Sequence, residues 1–160
     1  MTSGTGKITV AGIFLTMLLT WGCRKDVIFT DTYPLHSETW KIDDIAEFSP
    51  EISDTATIDN IFFTIRTGSA YQFRNIWLFV NTVSPSGKRI TDTLQYMLAD
   101  EKGKPFGRGF GDVRELNLPF RTGVYFPEKG RYKFIIRHGM RTEDLRGIYD
   151  LGIRIEKARK

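Results

Sequence analysis

Hydrophobic residues follow two patterns along the chain. Residues 8–21 form a nearly continuous apolar run that ends two positions before the single cysteine, Cys23. After residue 57, apolar residues alternate with polar ones, as in Ile61, Phe63 and Ile65. A period of two indicates strands with one buried face. The pattern therefore divides the chain into an apolar leader and a β-rich region.

The leader has the features of a secretory signal peptide. Lys7 precedes the apolar run, and a small residue, Gly22, precedes Cys23. At 14 residues, the run is short for a membrane-spanning helix. The cysteine resembles that of a lipobox, whose thiol is acylated, although Leu19 lies four rather than three positions before it. We expect residues 1–22 to be a signal peptide and Cys23 to be lipidated; the alternative is an ordinary cleaved signal.

The remaining 138 residues suit one domain with a single hydrophobic core. Residues 23–39 mix short β-prone pieces with polar residues and are predicted to be the lipidated cysteine and a tether that becomes an edge strand. Residues 40–160 are predicted to form the folded domain. Residues 43–57 carry carboxylates and Pro50 with little periodicity, which predicts mostly loop.

Seven or eight short strands are predicted in the domain. Residues 75–81 are apolar on both faces, which is typical of a central strand, and a turn at residues 85–88 joins them to the next strand in a hairpin. Residues 142–145 resemble a capped helical turn. The fold class is therefore all-β, an antiparallel β-sandwich. Periodicity leaves jelly-roll and immunoglobulin-like topologies open. We expect one inter-sheet core to contain Leu78, Leu94, Phe134 and Ile153.

A glycine-rich segment interrupts the strands. Residues 100–111 contain four glycines and a proline, so they are predicted to be a loop. The glycines lack the strand, helix and spacing of a dinucleotide-binding motif. One interpretation is structural, with glycines at positive φ and Asp112 bonded to the local backbone. The other is a partner-binding loop that uses Phe106, Arg108 and Phe110, because exposed aromatic and arginine residues are frequent interface anchors.

Charge and residue types argue against several functions. Without Lys7, 22 basic and 19 acidic residues remain, dispersed along the chain, which does not favour nucleic acid binding. His36 and His138 lie far apart in sequence, and no nucleophile motif accompanies them. We predict no enzyme activity, no cofactor and no metal ligands, although a structural Ca²⁺ between loops stays open.

Carbohydrate binding or processing is the alternative function. Trp40 and Trp77 could form a stacking platform on a cell-surface sandwich. Paired carboxylates could hydrolyse a glycosidic bond, and the nominal candidates are Asp92, Asp100, Asp112 and Asp150. Each of these has a simpler explanation as a strand-end or turn residue. The positions of the tryptophans distinguish the two functions, because a platform needs two exposed rings.

An ordered set of short motifs resembles the gliding-motility lipoprotein family GldH. The motifs are Leu98-Ala99-Asp100, Gly107-x-Gly109-x-Gly111-Asp112, Phe126-Pro127-x-x-Gly130-x-Tyr132-x-Phe134, Met140-Arg141, and Leu145-x-Gly147-Ile148-x-Asp150-x-Gly152-x-Arg154-Ile155-Glu156-Lys157. Together they cover most of the chain after the leader. Phe106 stands where a tryptophan is expected in this family.

The resemblance implies a lipid-anchored cell-envelope protein of Bacteroidetes-type bacteria that is needed for surface gliding. It implies partners among the envelope proteins of the gliding apparatus, which also serves a dedicated secretion system, and attachment to the membrane through lipid. It implies no enzymatic activity. From it we expect a non-catalytic assembly or scaffolding component.

Overall fold

The structure is a computed structural model that describes residues 27–158. The predicted signal peptide and Cys23 lie outside these residues. Within them the chain forms one short 3-10 turn at His36–Glu38 and twelve strands. The strands are β1 (Val27–Pro34), β2 (Thr39–Lys41), β3 (Ala46–Phe48), β4 (Glu51–Ile52), β5 (Asp59–Thr67), β6 (Asn75–Val83), β7 (Arg89–Met97), β8 (Arg114–Val124), β9 (Gly130–Arg131), β10 (Lys133–His138), β11 (Asp144–Arg146) and β12 (Ile148–Lys157).

The described chain winds as a jelly roll. Eight of its strands form two antiparallel four-stranded sheets, with the orders β1-β12-β5-β8 and β3-β10-β6-β7. Of these eight strands, the first pairs with the last, the second with the seventh, the third with the sixth and the fourth with the fifth. Such nested pairing defines a double-sheet jelly roll. The predicted antiparallel sandwich is confirmed, and the pairing selects one of the two topologies that periodicity left open.

Two short ribbons, β11-β2 and β4-β9, complete the described sheets. These ribbons and strand β3 correct two sequence predictions. Residues 142–145 do not form a helical turn, because β11 pairs with β2 and Leu145 lies opposite Trp40. Both side chains are fully buried, which favours the extended pairing over a local turn. Residues 43–57 are less loop-like than predicted, since they contain β3 and β4; β3 pairs with β10 and β4 with β9.

The core lies between the two large sheets. Strand β5 alternates as predicted, with Ile61, Phe63 and Ile65 buried. The predicted core is confirmed: Leu78, Phe134 and Ile153 are buried, and the half-buried Leu94 packs against them. Strand β6 is central, as predicted, and forms the predicted hairpin with β7.

The sandwich has two distinct ends. Val27 at the start of β1 lies opposite Glu156, which lies opposite Asn60 at the start of β5. We call this the proximal end. At the other end, Thr67 of β5 lies opposite Arg114, where β8 begins. We call this the distal end. The edge strand expected within residues 24–39 is β1, so the chain enters the sandwich at its proximal end.

No helix within residues 27–158 is long and apolar enough to cross a membrane.

Candidate docking surface

The glycine-rich segment forms an ordered loop at the distal end, between β7 and β8. Two isolated bridges hold it, one between Ala99 and Pro105 and one between Arg108 and Glu115. In the second bridge the Arg108 amide donates to the Glu115 carbonyl at 3.0 Å, and the Glu115 amide donates to the Arg108 carbonyl at 2.7 Å. The predicted loop is therefore confirmed. We call residues 98–113 the distal loop.

Two glycines allow this loop to approach the start of β8 closely. Gly107 has a φ of +91°, and a Cβ there would lie 2.3 Å from the carbonyl oxygen of Glu115. A Cβ on Gly109 would lie 1.8 Å from the carbonyl oxygen of Val113. Glycine is required where the backbone is left-handed or where another chain segment comes this close. The glycines thus fix the course of the loop.

The three predicted contact residues all lie on the surface of the distal loop. Phe110 is 95% exposed and Phe106 is 46% exposed. Arg108 between them is exposed as well. An almost fully exposed phenylalanine places a large apolar ring in water, where a partner protein could bury it. The loop holds this ring on a backbone that is fixed by bridges and glycines.

Asp112 does not bond to the local backbone as the structural interpretation expected. Its carboxylate instead accepts a hydrogen bond of 3.2 Å from the Ser69 hydroxyl. Ser69 belongs to the connection between β5 and β6, so this contact ties the distal loop to a neighbouring loop. Asp100 bonds within its own turn, accepting from the amides of Lys102 and Lys104 at 2.9 and 2.8 Å.

An aromatic groove adjoins the distal loop on the outer face of the second sheet. Its volume is about 490 Å³, and Trp77 and Phe79 of β6 lie along it with Phe73, Met140 and Arg141. Phe73 also lines a recess of about 120 Å³ that includes Gly103 and Pro105 of the distal loop. The groove and the loop therefore share one apolar surface. We call these five side chains the aromatic groove.

The sequence pattern did not indicate this groove. The apolar residues on both faces of β6 correctly indicated a central strand, and they also suggested burial on both sides. The inner residues Ile76, Leu78 and Val80 are buried, whereas Trp77 is 37% exposed and Phe79 is only half-buried. The signal that could have found it was the pair of large aromatic residues, Trp77 and Phe79, at successive outward positions of β6.

The tryptophan platform that the alternative carbohydrate function would need is not formed. Trp40 is fully buried, and its indole nitrogen donates to the backbone carbonyl of Asp44 at 2.8 Å. Its ring packs edge-on to His138, with the ring centroids 5.5 Å apart. Trp77 lies on the outer face of the second sheet, so the two rings cannot stack on one sugar.

The remaining candidates for chemistry have structural roles. Asp92 bonds to Arg121, and Asp150 is buried and bonds to Arg66. His36 is exposed while His138 is buried, and burial lowers the pKa of His138 below its ordinary value. Among the described residues, no group of three or more His, Cys, Asp or Glu side chains is arranged to hold a metal ion.

The fold and this surface define an antiparallel jelly-roll domain that presents exposed aromatic residues at one end. Comparison with known proteins then identifies the family. Residues 27–155 match the family model described as GldH lipoprotein, and the chain belongs to this family. Among the similar proteins is the gliding motility lipoprotein GldH of Flavobacterium johnsoniae. It is 34% identical over 159 residues, which cover 94% of this chain and 98% of the relative.

A second relative is the gliding motility lipoprotein GldH homolog of Christiangramia forsetii. It is 33% identical over 150 residues, which cover 89% of this chain and 91% of the relative. The resemblance found from the sequence motifs is therefore confirmed. Membership makes the chain a lipoprotein with a role in gliding motility, anchored in the cell envelope.

Proposed function

We propose that this lipoprotein is a non-catalytic assembly component of the gliding apparatus, anchored through Cys23, which docks on partner envelope proteins through the distal loop. The observation that carries the proposal is the exposure of Phe110, with Phe106 and Arg108 beside it on the same fixed loop. Aromatic and arginine side chains are enriched at protein interfaces and often supply most of the binding energy.

The anchor and the distal loop belong to opposite ends of the sandwich, which supports separate roles in membrane attachment and partner docking. Only three residues separate Cys23 from Val27, a span of at most about 14 Å even when fully extended. The lipid therefore holds the proximal end close to the membrane. A nine-residue strand such as β6 is about 30 Å long. The distal loop is thus presented about one strand length away from the membrane, where other envelope proteins can reach it.

The candidate catalytic carboxylates all make structural contacts, which supports a non-catalytic role. Asp92, Asp100, Asp112 and Asp150 each bond to a different structural partner. Hydrolysis of a glycosidic bond needs two carboxylates that flank the same bond. The burial of Trp40 also removes the observation that favoured sugar binding. Docking is therefore the function that the surface supports best.

The docking surface is tested by affinity purification of the lipidated protein from membranes. We expect the double variant Arg108→Ala with Phe110→Ala to lose its co-purifying envelope proteins and to abolish gliding. The matched control is Glu101→Ala with Lys102→Ala, because these residues are exposed in the same loop and use only backbone groups in its turn. An unchanged set of partners in the first variant would contradict docking through this loop.

The anchor is tested separately by mass spectrometry of the mature N-terminus. We expect an acylated Cys23 as the first residue. The Cys23→Ser protein should leave the membrane fraction, because a single polar residue cannot replace acyl chains as an anchor. A mature N-terminus at another residue, or full membrane attachment of the Cys23→Ser protein, would refute this assignment.

A further inference from the structure

A second cleft lies at the proximal end, between the two large sheets. Its volume is about 370 Å³. The inner walls are apolar and come from both sheets, with Ile61, Phe120, Val124, Phe126, Tyr132 and Phe134. This size is within the range of about 300 to 1,000 Å³ that is typical of small-molecule sites. The cleft plays no part in the docking surface, which is at the other end of the sandwich.

Polar and charged side chains also line this cleft, namely Thr82, Ser84, Lys88, Asp92, Arg121 and Glu128. Lys88 lies at the mouth of the cleft, on the turn between β6 and β7, and is exposed. Glu128 fastens this turn to the one before β9, since its carboxylate accepts from the Ser86 amide and hydroxyl, each at 2.9 Å. These hydrogen bonds lower the pKa of Glu128. The cleft thus combines apolar walls with polar and charged side chains, an arrangement that fits an amphiphile.

The register of the first sheet places this mouth beside the point where the chain leaves for its anchor. Val27 lies opposite Glu156, and Glu156 lies opposite Asn60. The side-chain oxygen of Asn60 accepts a hydrogen bond of 2.9 Å from the amide of Gly123, next to Val124 in the cleft wall. Three strand spacings separate β1 from β8, about 14 Å in all. The cleft and the tether therefore share one end of the molecule.

We propose that this cleft holds an acyl chain of a membrane phospholipid. The inference rests on the anchor at Cys23, because the three-residue tether keeps the proximal end against the bilayer. The apolar walls match an acyl chain, and Lys88 at the mouth has the charge that a lipid phosphate requires. Tyr125 is 58% exposed beside the same mouth, and tyrosine is favoured at the membrane interface.

The phospholipid is a better occupant than the protein's own lipid. Strand β1 and the cleft strand β8 are the two opposite edges of the first sheet. The acyl chains on Cys23 start from the β1 edge, so they would have to cross the width of the first sheet, about 14 Å, to enter the cleft. A phospholipid of the adjacent leaflet needs no such crossing.

The test uses the full lipidated protein in vesicles of phosphatidylethanolamine and phosphatidylglycerol that contain a phospholipid with a photoactivatable acyl chain. After illumination, we expect peptides from residues 118–134 to carry most of the adducts. Val124→Trp fills the cleft and should reduce their yield roughly tenfold. Ile42→Trp is the control, because Ile42 is exposed and lies outside the cleft lining.

A second variant shows whether the loss of adducts in Val124→Trp comes from the filled cleft or from misfolding. Ile90 lines the cleft and is 49% exposed, so Ile90→Asp adds a carboxylate to the wall without emptying the core. This variant should also lose the adducts, and its unfolding temperature should be the same as that of the wild type. Unchanged adduct yields in both variants, or adducts spread evenly over the surface, would overturn the proposal.

Two further results separate the possible failures. In cells fed a photoactivatable fatty acid, a cross-link between the acylated N-terminal peptide and residues 118–134 would assign the cleft to the protein's own lipid and overturn the proposal. A protein that does not attach to vesicles would show that the anchor is wrong. A protein that attaches but gives no cleft adducts would show that only the cleft assignment is wrong.

Discussion

Asp92 and Arg121 join the free edges of the two large sheets. The Arg121 guanidinium donates to both carboxylate oxygens of Asp92, at 2.7 and 2.9 Å. Asp92 is in β7 and Arg121 is in β8, which are the last strands of their sheets. The Tyr96 hydroxyl adds a second link between these strands, because it donates to the Pro119 carbonyl at 2.9 Å. This side of the jelly roll is therefore closed by polar contacts above the proximal cleft.

We expect Asp92 and Arg121 to be energetically coupled. A double-mutant cycle with Asp92→Ala and Arg121→Ala, measured by urea denaturation, should give about 0.5–1 kcal/mol, the upper range for partly exposed pairs. Added salt should reduce this coupling. The control is the pair of Glu51 and Arg131, which is more exposed and 3.6 Å apart, and which should give almost no coupling. Equal coupling energies for the two pairs would contradict the expected stabilisation by Asp92 and Arg121.

Truncation of the inter-sheet core should be far more costly than truncation of the surface. We expect Leu78→Ala and Phe134→Ala each to lower the free energy of unfolding by about 2–5 kcal/mol, because both side chains are fully buried. Lys133→Ala is the control on the next residue of β10. Its amine is exposed in an ion pair with Glu47, so the change should be about 0.5 kcal/mol or less. Similar losses in both sets would mean that the register of β10 is wrong.

Substitution of Gly109 or Gly111 in the distal loop should lower stability, for a different reason at each position. Gly109→Val should lower stability by about 1–3 kcal/mol, because its Cβ would meet the Val113 carbonyl. Gly111 has open space around it, so Gly111→Val should cost only the strain of its φ of +63°, about 1–2 kcal/mol. Thermal unfolding measures both changes. Arg108→Ala and Phe110→Ala should leave stability within about 0.5 kcal/mol of the wild type, since both side chains are exposed.

His138 should make stability depend on pH. Burial lowers its folded pKa below the ordinary value of 6.5, so the unfolded chain binds its proton more readily than the folded protein does. The contribution of His138 is thus fully present above pH 6.5 and is lost as the pH falls from there through the folded pKa. His138→Phe keeps an aromatic ring against Trp40 and should flatten this slope in chemical denaturation series. A slope that persists unchanged would place the titrating group elsewhere.

The alternation of apolar and polar residues was enough to predict most of the large strands. In β5 and β12 the period of two records which side chains face the core, and this is a local property of an extended chain. The Pro85 to Lys88 turn likewise determined the hairpin of β6 and β7, because adjacent strands joined by a short turn have few other arrangements. The exposure of the glycine-rich loop also followed from composition.

The sequence pattern records a buried face but does not record which strand lies beside it. The nesting of β1 with β12 joins residues at opposite ends of the domain, and only the assembled sandwich selects it over other antiparallel orders. The same limit explains residues 144–146, which are extended because Leu145 pairs with Trp40, a partner more than a hundred positions away. It also explains the tryptophans: neighbouring strands bury Trp40, whereas none of the strands within residues 27–158 packs over the outer face that carries Trp77. Local sequence determined the strands, and the burial available from distant partners decided how they assemble and which surfaces stay exposed.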